Sequence, residues 1–88
     1  MTPATITLRV PAGAPFQALA VAAACRFGEL CGTPAAEAPA LEQAVTRAVA
    51  TVAGTADHLD LSCTCGPAGV DIALSAGGRH QVVHHPIS

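Results

Sequence analysis

Apolar and polar residues alternate through "TITLRVP": Ile6, Leu8 and Val10 share one side, and Thr5, Thr7 and Arg9 the other. Alternation with period two among β-branched residues predicts a half-buried strand, ended by Pro11. "AGAP" reads as a turn, and Pro15 suits the first turn of a helix, where its missing N–H is not needed. The helix is expected from about Pro15 to Cys31, with Gly32 as terminator. Phe16, Leu19, Ala20, Ala23, Phe27 and Leu30 form one stripe along it, the expected core face. The opposite side holds Ala18, Val21, Ala22, Cys25 and Gly28, with only Gln17, Arg26 and Glu29 to wet the surface. A helix apolar on most sides is usually buried on most sides. Ala18, Val21, Ala22 and Cys25 are therefore the candidate interface with another chain.

"GTPAAEAPA" is a connector in which Thr33 and Pro34 resemble a cap and first-turn pair. Pro39 opens a second helix, on which Leu41, Ala44, Val45, Ala48, Val49 and Val52 make a clean core stripe before Gly54. The period then returns to two. Leu59, Leu61, Cys63 and Cys65 face one way, His58, Asp60, Ser62 and Thr64 the other. After the turn "GPAG", Val70, Ile72, Leu74 and Ala76 point inward; "GG" at 77 and 78 is a second turn, and "RHQVVHH" a further strand. The order β-α-α-β-β-β predicts a single α+β domain over 1–88: a two-layer sandwich with two helices packed on a mainly antiparallel sheet.

Composition narrows the function classes. At 88 residues, much of the surface stays in water. The hydrophobic share is 51 %, but there is no Trp or Tyr and only two Phe. A core without bulky anchors often gains burial from a dimer or a partner. The four basic residues are scattered arginines and the formal net charge is −2, so no basic patch suits a phosphate backbone, and nucleic-acid binding is not expected. "MTPATITLRVP" lacks the pattern of a signal peptide, and the apolar segment around 16–25 is too short and alanine-rich to span a bilayer. A cytoplasmic protein with reduced cysteines is expected, with no membrane contact. The abundance of Ala and absence of Lys suggest a GC-rich bacterial genome.

The layout in which "ITLRVPAGAPFQALAVAAACRFGELCG" leads into "LEQAVTRAVATVAG" and then "VDIALSAGG" resembles the histidine-kinase-like ATPase superfamily, and most nearly the bacterial anti-sigma-factor serine kinases. In that family the second helix carries a Glu that acts as base and, four residues on, an Asn that holds Mg²⁺, both on one face. Aligned on "AVTRAVATV", those positions are Arg47 and Thr51. Arginine stays protonated and cannot accept a substrate proton. The family's Asp-x-Gly-x-Gly box reads "LSAGGRH" here. Its Asp falls on Ser75 or Ala76, its glycines on Gly77 and Gly78, and its last Gly on Arg79 or His80, depending on register. The family's lid, second glycine box and later helix and strand are not expected here. The resemblance implies a reduced, non-catalytic relative that holds no cofactor and binds a protein partner, a sigma factor or an anti-sigma antagonist, or itself as a homodimer. A vestigial ATP- or ADP-binding module is the alternative.

Cys63-x-Cys65 on a strand raises a metal or redox reading, with His80, His84, His85, Cys25 and Cys31 as further ligands. The spacing matches no zinc module, and His84 and His85 should face opposite ways on a strand. Two small core thiols are the simpler expectation, so no metal is expected. Ser62 and Ser75 lack a nucleophile motif, and no catalytic residue is expected.

Overall fold

Each of the four alternating segments forms a strand, and each helical stripe forms a helix. A computed structural model describes residues 4–86; Met1–Pro3, Ile87 and Ser88, the ends of "MTPATITLRVP" and "RHQVVHHPIS", lie outside the described residues. The order is β1 (Ala4–Pro11), α1 (Ala14–Leu30), a 3-10 turn (Ala35–Glu37), α2 (Ala38–Ala53), β2 (His58–Gly66), β3 (Gly69–Ala76) and β4 (Arg79–Pro86). The strands make one antiparallel sheet in the order β1-β2-β3-β4, with both helices on one face: α1 over β1 and β2, α2 over β3 and β4. This is the expected α+β two-layer sandwich.

The strands bury the residues that alternation selects. Leu59, Leu61, Cys63, Val70, Ile72, Leu74 and Ala76 lie under the helices, and α2 buries Leu41, Val45, Ala48, Val49 and Val52 onto them. Each large side chain among these contributes about 1.5–3 kcal/mol. Two-residue loops close both hairpins. Gly77 and Gly78 have φ of 56° and 83°, the positive pair that a type I′ turn demands. The glycine pair therefore has a backbone reason of its own.

Local chemistry sets the helix ends. The Gln17 side chain donates to the Ala12 carbonyl at 2.7 Å, tying the start of α1 to the preceding turn. At its end Thr33 N–H bonds the Gly28 carbonyl and Gly32 N–H that of Glu29, with Gly32 at φ 104°. That is a Schellman closure. Thr33 does not act as the expected cap. It is buried, and its hydroxyl has no partner among the described residues; the 3-10 turn begins after Pro34 without a side-chain cap.

The core face of α1 differs from expectation. Ala20, Ala24, Phe27 and Gly28 are its buried residues, whereas Phe16, Leu19 and Leu30 are 43 %, 52 % and 72 % exposed. Apolar residues surround most of this helix, so periodicity alone could not orient it. The spacing Ala20-Ala24-Gly28 offers a narrow ridge on which α2 comes close: a Cβ at Gly28 would stand 2.7 Å from Leu41 Cδ2. Close packing turns Gly28 to α2; Phe27 stays in the core, while Phe16, Leu19 and Leu30 turn to the flank away from α2.

Candidate functional site

The positions singled out by the resemblance lie around the corner where the end of α2 meets the β3–β4 turn. Arg47 and Thr51 are exposed on α2, one turn apart. The Thr51 hydroxyl donates to the Arg47 carbonyl at 2.9 Å, leaving its oxygen lone pairs as the only further capacity it has. Ala76 is buried on the helix side of β3, while Ser75 occupies the opposite face. Ala76 is thus the position that looks toward α2, and it offers only a methyl group. Beside it is a cavity of about 290 Å³ lined by Val52, Gly54, Ala56, Ala76, Gly77 and Arg79 among others.

Arg79 decides the chemistry of this corner. From the first position of β4 its Nη1 donates to the Thr51 carbonyl at 3.1 Å. The last carbonyls of a helix lack intrahelical partners and carry the negative end of its dipole. A guanidinium satisfies both.

The other face of the sheet carries no helix. Cross-strand pairing aligns Arg9, Asp60, Ser75 and His80 in one row and Thr5, Thr64, Asp71 and His84 in another. Arg9 grips Asp60 through two hydrogen bonds, of 2.7 and 3.3 Å. Bonding to Arg9 holds the Asp60 carboxyl below the usual range. The row contains an acid, a serine and a histidine but is not a triad. Asp60 and His80 are separated by β3, on the order of 10 Å given strand spacing. The acid is also already committed to Arg9. In a working triad it would orient the histidine directly.

Two thiols, Cys25 and Cys31, lie on α1 and its C-terminal cap, and two, Cys63 and Cys65, on β2. Cys63 is fully buried, and burial, then the neighbouring Cys25, pushes its thiol up to about 11. Cys31 is likewise pushed up to about 11, by burial first and then by its hydrogen bond with Cys65. Cys25 is raised by burial and by Glu42 and Glu29. The histidines lie elsewhere. His84 pairs with Asp71 on the open face, and His85 Nε2 meets Glu37 Oε1 at 2.8 Å on the helix face. Among the described residues no three His, Cys, Asp or Glu side chains come together in a group that could hold a metal ion.

Of the candidate interface residues, Ala18 and Ala22 are exposed, while Val21 and Cys25 are half-buried. Val21 lines a shallow cavity with Thr46, Val49 and Ala50 of α2. The larger exposed apolar side chains, Phe16, Leu19 and Leu30, are on the other flank. No helix among the described residues is long and apolar enough to cross a membrane.

Compared with known protein families, with curated proteins and with solved structures, the chain matches none.

Two features here escape a sequence reading. The Arg79 contact depends on how close α2 comes to the β3–β4 turn. The meeting of Cys31 with Cys65 had a signal: α1 runs back along β1, so its end returns to Ala4, whose β2 partner is Cys65.

Proposed function

We propose that this protein is a non-catalytic interaction regulator of the kind the resemblance implies: a reduced relative of anti-sigma-factor kinases that binds a sigma factor or its antagonist. One observation supports this most. Arg79 occupies the corner between α2 and the β3–β4 turn and bonds the Thr51 carbonyl. Around it, Arg47 offers a permanent cation in place of a base, Thr51 a hydroxyl in place of an amide oxygen, and Ala76 presents no carboxylate. Phosphoryl transfer needs a base or orienting group, a metal held against phosphates and donors along their oxygens. The corner offers no base and no carboxylate or amide to hold a metal, whereas the exposed side chains of α1 offer apolar area to a protein partner.

Calorimetric titration tests the reading. ATP·Mg²⁺ is added to one sample, and the sigma factors and antagonists of the source cell to another. Heat with one of the proteins and none with nucleotide is the expected result. Saturable nucleotide binding, or failure of every such protein to bind, overturns it.

A second reading, a thiol-responsive domain, is favoured by two half-buried free thiols, Cys31 and Cys65, packed against the core that holds Cys63. Unchanged mass and unfolding after mild oxidation would sink it.

A further inference from the structure

We propose that the free edge of β1, with the flank of α1 above it, takes up an extended segment of a partner protein as a fifth strand. The segment alternates apolar with polar residues and sets an acid opposite Arg9. The proposal deepens the interaction reading by naming the surface and the kind of segment it fits, and it rests on that reading only for the expectation that the chain binds another protein.

The backbone decides the conformation of the occupant. Among the described residues β1 pairs with β2 alone, in a register that runs without a break from Ala4–Cys65 to Pro11–His58. Every second residue of β1 therefore turns its N–H and C=O outward, a row that an extended chain matches bond for bond. Solvent-facing edges are commonly blunted by charge, proline or a bulge. From Ala4 to Val10 β1 has no proline and no bulge, and its one charge, Arg9, is held by Asp60. The opposite edge, β4, carries Arg79, three histidines and Pro86. One edge is guarded and the other is open.

The helix layer decides the side chains of the occupant. At 100° per residue, Phe16, Leu19, Ala23, Arg26 and Leu30 share one side of α1, away from the side where Gly28 meets Leu41 of α2. Because α1 lies over β1 and β2, this side overhangs the β1 edge, where Ile6 is exposed on the helix-facing side. A strand added about 4.8 Å beyond β1 sets every second side chain beneath Phe16, Leu19 and Leu30. The side chains between fall in line with Thr5, Thr7 and Arg9 on the helix-free face. The matching segment is thus apolar under the helix and polar on the other side, over about five or six residues, the usual length of a strand.

Charge decides between a foreign segment and a second copy of this chain. Arg9 gives two of its five N–H groups to Asp60, and among the described residues the other three remain for a further acid. Arg26 borders the flank with one bond, to Glu29. Neither β1 nor the five flank residues include an acid. A second β1 would bring "ATITLRVP", which holds none either, and would leave both arginines without a new partner. A foreign strand with Asp or Glu opposite Arg9 extends the row that Arg9 shares with Asp60, and opposite charges facing each other across strands stabilise the pairing.

The test is a selection on the full chain from phage-displayed random peptides of about twelve residues, long enough to pair with all of β1. Enriched peptides should alternate apolar with polar residues and carry Asp or Glu at one polar position. A synthesised member should bind saturably in calorimetry and slow hydrogen exchange at the β1 amides but not at those of β4. Leu19→Glu with Leu30→Glu, both at exposed positions, should weaken binding about tenfold or more with an unchanged circular-dichroism spectrum. Val82→Glu, on the helix-free face and 54 % exposed, should leave the affinity within about twofold. Converting the peptide's acid to its amide should weaken binding up to about fivefold on the wild-type chain, and not on Arg9→Gln. The proposal is overturned if no peptide is enriched, if the enriched peptides show helical spacing, or if the paired substitution leaves their affinity unchanged. It is equally overturned if light scattering finds the chain alone at twice 8.7 kDa and the paired substitution returns it to 8.7 kDa, because the edge is then filled by a second copy. A sigma factor that binds where every peptide fails removes this edge and leaves the interaction reading; peptides that bind where every sigma factor and antagonist fails do the reverse.

Discussion

Replacing Gly69 with alanine is a sharp test of how the sheet is closed. Gly69 opens β3 at φ 140°, a conformation that side chains rarely adopt. A Cβ there would stand 2.3 Å from the His85 carbonyl oxygen and 2.8 Å from Pro86 Cα. Both neighbours are backbone atoms of β4, so no side chain can swing aside. The conformational strain is worth about 1–3 kcal/mol. Displacing β4 adds roughly another 1–3 kcal/mol of the kind seen on overpacking. Together they reach about 2–6 kcal/mol, against a total of roughly 4–13 kcal/mol for a chain of this length. With no Trp or Tyr present, urea unfolding is best followed by circular dichroism. At a slope near 1 kcal/mol/M the midpoint should fall by about 2 M or more. Gly66→Ala, across the β2–β3 turn from Gly69 as its cross-strand partner, is the control. A Cβ there meets nothing within 4 Å, and the change should stay within about 0.5 kcal/mol. A Gly69→Ala midpoint within ~1 M of wild type would refute the reasoning, because β4 would then not lie against Gly69.

Three further outcomes follow from the site. Arg79→Ala should cost about 1 kcal/mol by uncapping the Thr51 carbonyl, lowering Tm by about 4–8 °C; an unchanged melting curve would mean that the contact holds nothing. Cys31 and Cys63, both at about 11, should hold roughly 0.1 % thiolate at pH 8, about a hundredfold less than an ordinary thiol. Alkylation mapped by mass spectrometry should therefore be slow at both until urea is added, and stability should decline as pH rises from the ordinary thiol range toward 11, because only the unfolded chain ionises there. The Asp60 carboxyl is held below its ordinary range by Arg9, so its contribution is present above that range and fades as pH falls through the lowered value. Both partners are exposed, so added salt should shrink the difference in acid unfolding between wild type and Asp60→Asn; a difference that salt leaves intact would contradict this.

The strands were legible because alternation ties burial to position. Leu59, Leu61 and Cys63 must share a face whichever sheet they join. The second helix was legible for the same reason: its apolar residues occupy one stripe, with Arg47, Thr51 and Glu42 on the other side. The first helix was not. With apolar side chains on most of its circumference, any of several rotations would bury a similar area; of the expected stripe, Ala20 and Phe27 are buried but Phe16, Leu19 and Leu30 are exposed.

The sequence by itself therefore determined the periods, the turns and the order of elements. Those depend on neighbours along the chain, through residues such as Pro11, Gly32, Gly54 and the Gly77–Gly78 pair. Only the tertiary structure decided what the surface offers. The rotation of α1 follows from how closely Leu41 approaches Gly28, and that rotation exposes Phe16, Leu19 and Leu30. The corner at Arg79 follows from the distance between α2 and a turn 28 residues away in sequence. Local patterns encode which residues avoid water, whereas packing between distant elements selects among faces that are equally apolar and so determines which groups a partner meets.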